Sequence, residues 1–231
     1  MTIGYDNLSI NDSLLMHLTF EEMTGLVTYD RAGPQHPCTL NGVPTWNSLV
    51  TGLPYLDFVQ ATPDWLDCGA VATADLDFTT EDFSIVLWIY PDALGTTQML
   101  VCRGLFNNDG WYLDLAPAGN LALATCQAVT QSSVSDPVIT ASAWNLVGIS
   151  RDGASVIPYH NGLDVSFISG THINPATSAR ELHIGITDGE INDPFDGKIA
   201  GGPCGPRIWG RSLSYRDHRY IWETERQWLG V

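Results

Sequence analysis

The chain has 231 residues, 44% of them hydrophobic, and carries 26 acidic against 10 basic residues for a net charge of −16. With eight Trp, that hydrophobic share is ample for one sizeable core and excludes a disordered chain. The charge argues against contact with nucleic acid backbones or anionic membranes, and no apolar run approaches the length of a membrane span.

Residues 1–13 form a polar arm without hydrophobic period, in which Ile3, Tyr5 and Leu8 are the apolar anchors available for docking on another subunit. The start Met1-Thr2-Ile3-Gly4-Tyr5-Asp6 lacks the basic and apolar regions of a signal peptide, so synthesis in the cytoplasm is expected. Leu14, Met16, Leu18 and Phe20 then alternate with Leu15, His17 and Thr19, the period of a half-buried strand whose second face meets solvent. Asn41-Gly42 reads as a hairpin turn, since both residues tolerate positive φ. Tyr55–Phe58 and Trp65–Gly69 are short strands divided by a Pro-containing turn.

In the next strand Phe83, Ile85, Leu87 and Ile89 face one way and Ser84, Val86, Trp88 and Tyr90 the other. Apolar on both faces, it is a central strand, and Pro91 ends it. Met99–Arg103, Gly110–Leu115 and Asn120–Cys126 follow with Gly/Asn-rich turns between them. Trp144–Ser150 and Val156–Tyr159 flank a second hairpin signal at Asp152-Gly153, and Pro158 places its strand at an edge or bulge. After Glu181–Ile186 comes the closing segment: Phe195–Ile199, a Gly/Pro/Cys loop, Arg207–Leu213 and an amphipathic tail. Ser214 and Asp217 have the spacing of a capping box, so a helix starts there. About a dozen short strands at regular spacing, with no composition shift, predict one all-β sandwich over residues 14–231 with a short C-terminal helix.

The opening strand with its acidic turn Glu21-Glu22-Met23-Thr24-Gly25, the segments Tyr29–Gly33 and Thr39–Gly42, Tyr159-His160-Asn161-Gly162 and the closing segment fall in the order of a known family. In these, from Leu14 to Glu225, the chain resembles laminin-G-like domains of the concanavalin A-like lectin/glucanase superfamily. The resemblance implies a two-sheet antiparallel jelly roll. The glucanases of that superfamily carry three acidic residues alternating along one strand, and no strand here offers them, so no enzyme is expected. Many relatives hold calcium between the Asp30 loop and an Asp after the closing Ile. Here Ala200 and the Gly33-Pro34-Gln35-His36-Pro37 loop replace the expected ligands, so no metal or cofactor is assigned and chelation should leave the melting temperature unchanged.

Other candidate chemistry is thin. Asp188-x-Glu190-x-Asn192 mimics the start of a calcium loop but lacks its Gly and bidentate Glu. The six His show no metal-ligand spacing, and His17 and His183 are expected on solvated sheet faces. Cys38, Cys68, Cys102, Cys126 and Cys204 form no CxxC pair, so all five are expected as thiols in a reducing compartment. Trp88, Tyr90, Tyr112 and Asp114 lie opposite the core-facing sets and are the candidate ligand groove; alternatively, Trp88 and Tyr90 pack under loops or against the C-terminal helix. Two functions follow. The first is a structural or assembly protein, such as a virion decoration or appendage subunit, whose partners are other subunits or a particle surface. The second is a carbohydrate-binding lectin module for surface attachment, whose partners are glycans.

Overall fold

The computed structural model describes residues 8–32, 36–189 and 192–231. Among these, the first half of the chain forms β1 (Leu14–His17), β2 (Val27–Tyr29), β3 (Pro37–Asn41), β4 (Thr45–Ser48), β5 (Pro54–Phe58), β6 (Trp65–Asp67), β7 (Phe83–Pro91), β8 (Gln98–Leu105) and β9 (Asp109–Leu115). The second half adds β10 (Leu121–Thr125), β11 (Gln131–Ser135), β12 (Asn145–Asp152), β13 (Ser155–His160), β14 (Leu163–Asp164), β15 (Ser166–Ile168), β16 (His183–Ile184), β17 (Gly197–Ala200), β18 (Arg207–Trp209) and helix α1 (Tyr215–Leu229). The strands form two antiparallel sheets of nine. The first runs β14-β13-β12-β7-β17-β5-β4, with β18 also pairing β7 and β1 pairing β18; the second runs β15-β11-β10-β9-β8-β16-β6-β3-β2.

The core lies between the sheets and follows the alternation read from sequence. Phe83, Ile85, Leu87 and Ile89 of β7 meet Trp111, Leu113 and Leu115 of β9, all fully buried. Phe78 stacks on Phe83 at 4.6 Å between ring centroids, and Phe83 meets Trp111 at a tilt, 5.3 Å away. Each such side chain contributes roughly 1.5–3 kcal/mol on leaving water, which makes this layer the main source of stability.

The outer face of the first sheet is apolar as well, and α1 covers it. The helix opens on the expected box: Asp217 N–H donates to the Ser214 hydroxyl while the Asp217 carboxylate accepts from the Ser214 backbone. It ends at Gly230 in the left-handed region. His218, Ile221, Glu225 and Leu229, at helical spacing, are its buried side. Gly148 permits the close approach, because a β-carbon there would sit 2.9 Å from the His218 ring.

Several sequence expectations change. Asn41-Gly42 is not a hairpin: β3 belongs to the second sheet and β4 to the first, so this turn carries the chain between sheets. Gly42 is required there, since Asp64 occupies the space a β-carbon would need while accepting from Val43 N–H at 2.6 Å. By contrast, Asp152 and Ser155 are paired across a true two-residue hairpin. Pro158 sits on β13, beyond which only the two-residue β14 extends the sheet.

Nor are the five cysteines all thiols. Cys38 and Cys68 form a disulfide, while Cys102, Cys126 and Cys204 are free and buried. The reason is topological: β3 pairs with β6 in the register Thr39 opposite Asp67, which sets Cys38 opposite Cys68. Strand order of that kind is invisible in Cys spacing. His17 and His183 are buried rather than solvated. The closing loop covers His17, whose Nε2 lies 3.0 Å from the Gly202 carbonyl; burial and the nearby Arg207 lower its pKa to about 3.

The arm also departs from expectation. Ile3 and Tyr5 lie outside the described residues, and Leu8 is half exposed. The described part of the arm is held by its own domain. Trp209 Nε1 donates to the Ile10 carbonyl at 2.8 Å, and Arg211 Nε to the Asp12 carbonyl at 2.8 Å. No neighbouring subunit is needed to explain its order.

Candidate functional site

The structure does not bring the four candidate groove residues together. Trp88 and Tyr90 lie on the outer face of the first sheet, Tyr112 and Asp114 on that of the second. Trp88 is fully buried: it stacks on Trp222 of α1 at 5.3 Å, and its Nε1 donates to Glu225 Oε2 at 2.8 Å. Arg207 closes this site with an ion pair to Glu225 at 2.7 Å. Burial raises the Glu225 carboxyl above its ordinary range, while Arg207 and the Trp88 N–H work against that. Tyr90 meets the edge of Trp144 at 5.5 Å and lies under Lys198, whose Nζ is 4.5 Å from the ring centroid. These two residues are therefore packing elements: helix α1 covers Trp88, and Trp144 with Lys198 covers Tyr90.

Tyr112 and Asp114 instead line a cleft of about 400 Å³ on the second sheet. Its floor is β8 and β9, where alternation sends Cys102, Tyr112 and Asp114 outward while Val101, Leu113 and Leu115 fill the core. One wall is the tip of the β8–β9 hairpin, which carries Phe106 at 62% exposure. The other wall includes Asp188, Asn192 and Asp193. Such a volume, with an aromatic wall and a few convergent polar groups, has the make-up of a small-molecule site.

The charges in the cleft are unequal. Arg180 pairs with both Asp109 and Asp188, which offsets one of their two charges. Asp114 has no such partner. Its Oδ1 is sealed from solvent and finds no hydrogen bond among the described residues. Burial, with Asp193 nearby, pushes its pKa up to about 7. Burial likewise raises Asp193 and Tyr112. The Cys102 thiol, buried and donating to the Gly104 carbonyl at 3.2 Å, is pushed up to about 11 and stays protonated.

Sequence reading placed Tyr112 and Asp114 correctly on a non-core face but missed Phe106 and the Asn192–Asp193 wall. An aromatic inside the polar run Leu105-Phe106-Asn107-Asn108-Asp109-Gly110 was the available signal, since hairpin tips seldom need one for packing. The wall could not be read, because it depends on where the long connection before β17 folds back over β8 and β9.

At the other end of the second sheet, Asp30 has both carboxylate oxygens committed. Oδ1 accepts from the backbone N–H groups of His17 at 2.6 Å and Ala32 at 2.7 Å; Oδ2 lies 2.7 Å from His36 Nδ1. His36 Nε2 reaches Asp75 at 2.9 Å. Burial alone would lower the His36 pKa, but the two carboxylates more than offset it and raise it. His36 thus bridges Asp30 and Asp75, and the two carboxylates favour its charged form.

The family profile of the concanavalin A-like lectin/glucanases superfamily, in its laminin-G form, matches residues 68–217. The chain belongs to that superfamily. No curated protein matches this lectin-like domain in sequence. Among solved structures, it is similar to the binding domain of botulinum neurotoxin DC in complex with SialylT, at 16% identity and a TM-score of 0.65, over 94% of this chain and 52% of that one. The same binding domain in complex with rat synaptotagmin II gives 14% identity and a TM-score of 0.67, with 94% and 52% covered. A botulinum neurotoxin type C structure, whose cell entry depends on two ganglioside molecules, gives 16% and 0.64, with 93% and 52% covered. At such identities the likeness establishes the concanavalin A-like fold. The domain spans about half the length of these chains.

Proposed function

We propose that this protein is a non-catalytic carbohydrate-binding domain that takes a neutral sugar in the cleft of Phe106, Tyr112 and Asp114. The observation that carries the reading is the Asp114 carboxyl, set in the floor of an open cleft without an ion-pair partner among the described residues. Burial leaves this carboxyl poorly hydrated, so a sugar hydroxyl in the cleft would replace hydrogen bonds that water supplies weakly there. With a pKa of about 7, the carboxyl is divided between its two forms at neutral pH, so it both donates to and accepts from a hydroxyl. Phe106 and Tyr112 supply apolar faces for the sugar ring.

Charge selects among sugars. Asp114, Asp188 and Asp193 line the cleft of a chain with net charge −16, which disfavours sialylated and other anionic glycans. The neurotoxin domains, one of them in complex with SialylT, support a binding role over the assembly role that the sequence also allowed. The described part of the arm is fastened to its own domain, which weakens the case for assembly. The test is a glycan array carrying neutral and sialylated sugars, read for wild type, Phe106→Ala and Tyr112→Ala. Retention of neutral glycans that both variants lose, with unchanged melting, is the expected result. Silence across the array, or preference for sialylated glycans, would sink the reading.

A further inference from the structure

A second cluster of chemical groups lies on the same sheet face as the cleft, two strands beyond its floor. β6 and β16 pair with His183 opposite Asp67, and β8 lies on the other side of β16 with Cys102 opposite His183. Residues directly opposite in an antiparallel sheet share a face, so Asp67, His183, Cys102 and Tyr112 form one row. Glu181 precedes His183 by two positions and reaches toward the same side. One ligand atom from each of Asp67, Glu181 and His183 falls within 4.8 Å of the others.

We propose that Asp67, Glu181 and His183 form a binding site for a divalent transition ion of the zinc class, independent of the sugar cleft. Three features carry it. First, His183 Nε2 and Glu181 Oε2 are 3.4 Å apart, longer than the roughly 2.7–2.9 Å of a charge-assisted hydrogen bond. That separation instead matches the edge of a tetrahedron with bonds of about 2.0–2.1 Å to nitrogen and oxygen. Second, one imidazole with two carboxylates is a donor set for zinc-like ions, and three protein ligands leave a position open. Calcium needs about six to eight oxygens, which this cluster cannot supply. Third, the surroundings favour a cation. Asp67 and Glu181 hold two carboxylates close together, and the adjacent Arg180 is spent on Asp109 and Asp188.

The site is also held in place from outside. Asp67 Oδ1 accepts from Gly69 N–H at 2.7 Å, which orients the carboxylate and leaves its other oxygen for an ion. The next residue, Cys68, is tied to Cys38, so the end of β6 is fixed. His183 is buried, while Glu181 is exposed and Asp67 partly so, which places the open position toward solvent. Cys102, the remaining neighbour in the row, is no ligand: its buried thiol donates to the Gly104 carbonyl.

The experiment uses the full chain stripped of metal, with Zn²⁺ and Ca²⁺ added separately. Calorimetry should show one equivalent of Zn²⁺ bound. At 100-fold excess over Kd the melting temperature should rise by about 5 °C or more. Co²⁺ in place of Zn²⁺ should give the visible absorption bands of a tetrahedral site, and Ca²⁺ should leave melting unchanged. Glu181→Gln, at an exposed side chain, should weaken Zn²⁺ at least tenfold while the metal-free protein melts as before. Asp67→Asn should weaken it similarly. No saturable Zn²⁺ binding, or affinity unchanged in both variants, would overturn the assignment; the second outcome would place any bound ion elsewhere.

Discussion

The disulfide is the sharpest point at which structure and sequence reading part, and it can be tested quantitatively. Cys38 and Cys68 are separated by 30 residues. Closing a loop of that length removes chain entropy from the unfolded state, and the standard relation gives about 3.6 kcal/mol at 25 °C. For a protein of this size, 1 kcal/mol moves the melting temperature by roughly 2–4 °C. The double variant Cys38→Ala/Cys68→Ala should therefore melt roughly 7–15 °C below wild type. Urea titration on both proteins checks the free energy directly, and a changed m-value would locate part of the effect in the unfolded state. Independently, thiol titration of denatured, unreduced protein should count three, from Cys102, Cys126 and Cys204. A count of five together with a melting change of only a degree or two would refute the pairing and the argument built on it.

Glu225→Gln should destabilise by about 3–5 kcal/mol, because Arg207 then keeps a buried charge without its counter-ion; replacing both residues with apolar ones should cost less. Thermal melts of the single and double variants decide it, and a harmless single variant would mean that water reaches the pair. Asp114→Asn should stabilise the protein above pH 7 by up to roughly 4 kcal/mol and leave it unchanged near pH 4. The sign follows from a folded pKa above the unfolded one: burying the ionised form is unfavourable, so native Asp114 loses stability as pH climbs from about 4 to about 7. His36, also raised, contributes fully below pH 6.5 and loses its contribution as pH rises through its folded value; His36→Gln should flatten that part of a stability–pH curve. Deleting residues 1–12 should lower the melting temperature without changing association, since Trp209 and Arg211 lose carbonyl acceptors of their own chain. Light scattering that shows loss of an oligomer on deletion would restore the docking role of the arm.

Much of the sandwich was legible because its signals are local. The two-faced apolar β7, the Trp111/Leu113/Leu115 alternation and the Ser214–Asp217 box each sit within one element, and each is found as read. What was not legible depends on pairing between distant elements. The Cys38–Cys68 bond needs β3 beside β6. The burial of His17 needs the loop after β17. Trp88 reads from sequence either as a groove residue or as packing against the C-terminal helix, and only the position of α1 decides for the second. At the candidate cleft, Tyr112 and Asp114 could be placed by alternation, whereas the wall opposite them comes from a connection with no periodicity to follow.

The pairing of β1 with β18 has a consequence for how the molecule comes into being. The first strand completes its hydrogen bonds only with nearly the last, and Trp209 fastens to Ile10, 199 residues away in sequence. One flank of β7 also stays unpaired until β17 and β18 exist. During synthesis, therefore, the central strand of the first sheet waits with an open edge while most of the chain emerges. Contacts this remote make closure slow and leave an adhesive edge exposed in the meantime. Refolding should accordingly be limited by the joining of the two ends, and the yield of soluble protein should fall steeply as the concentration of refolding chains rises.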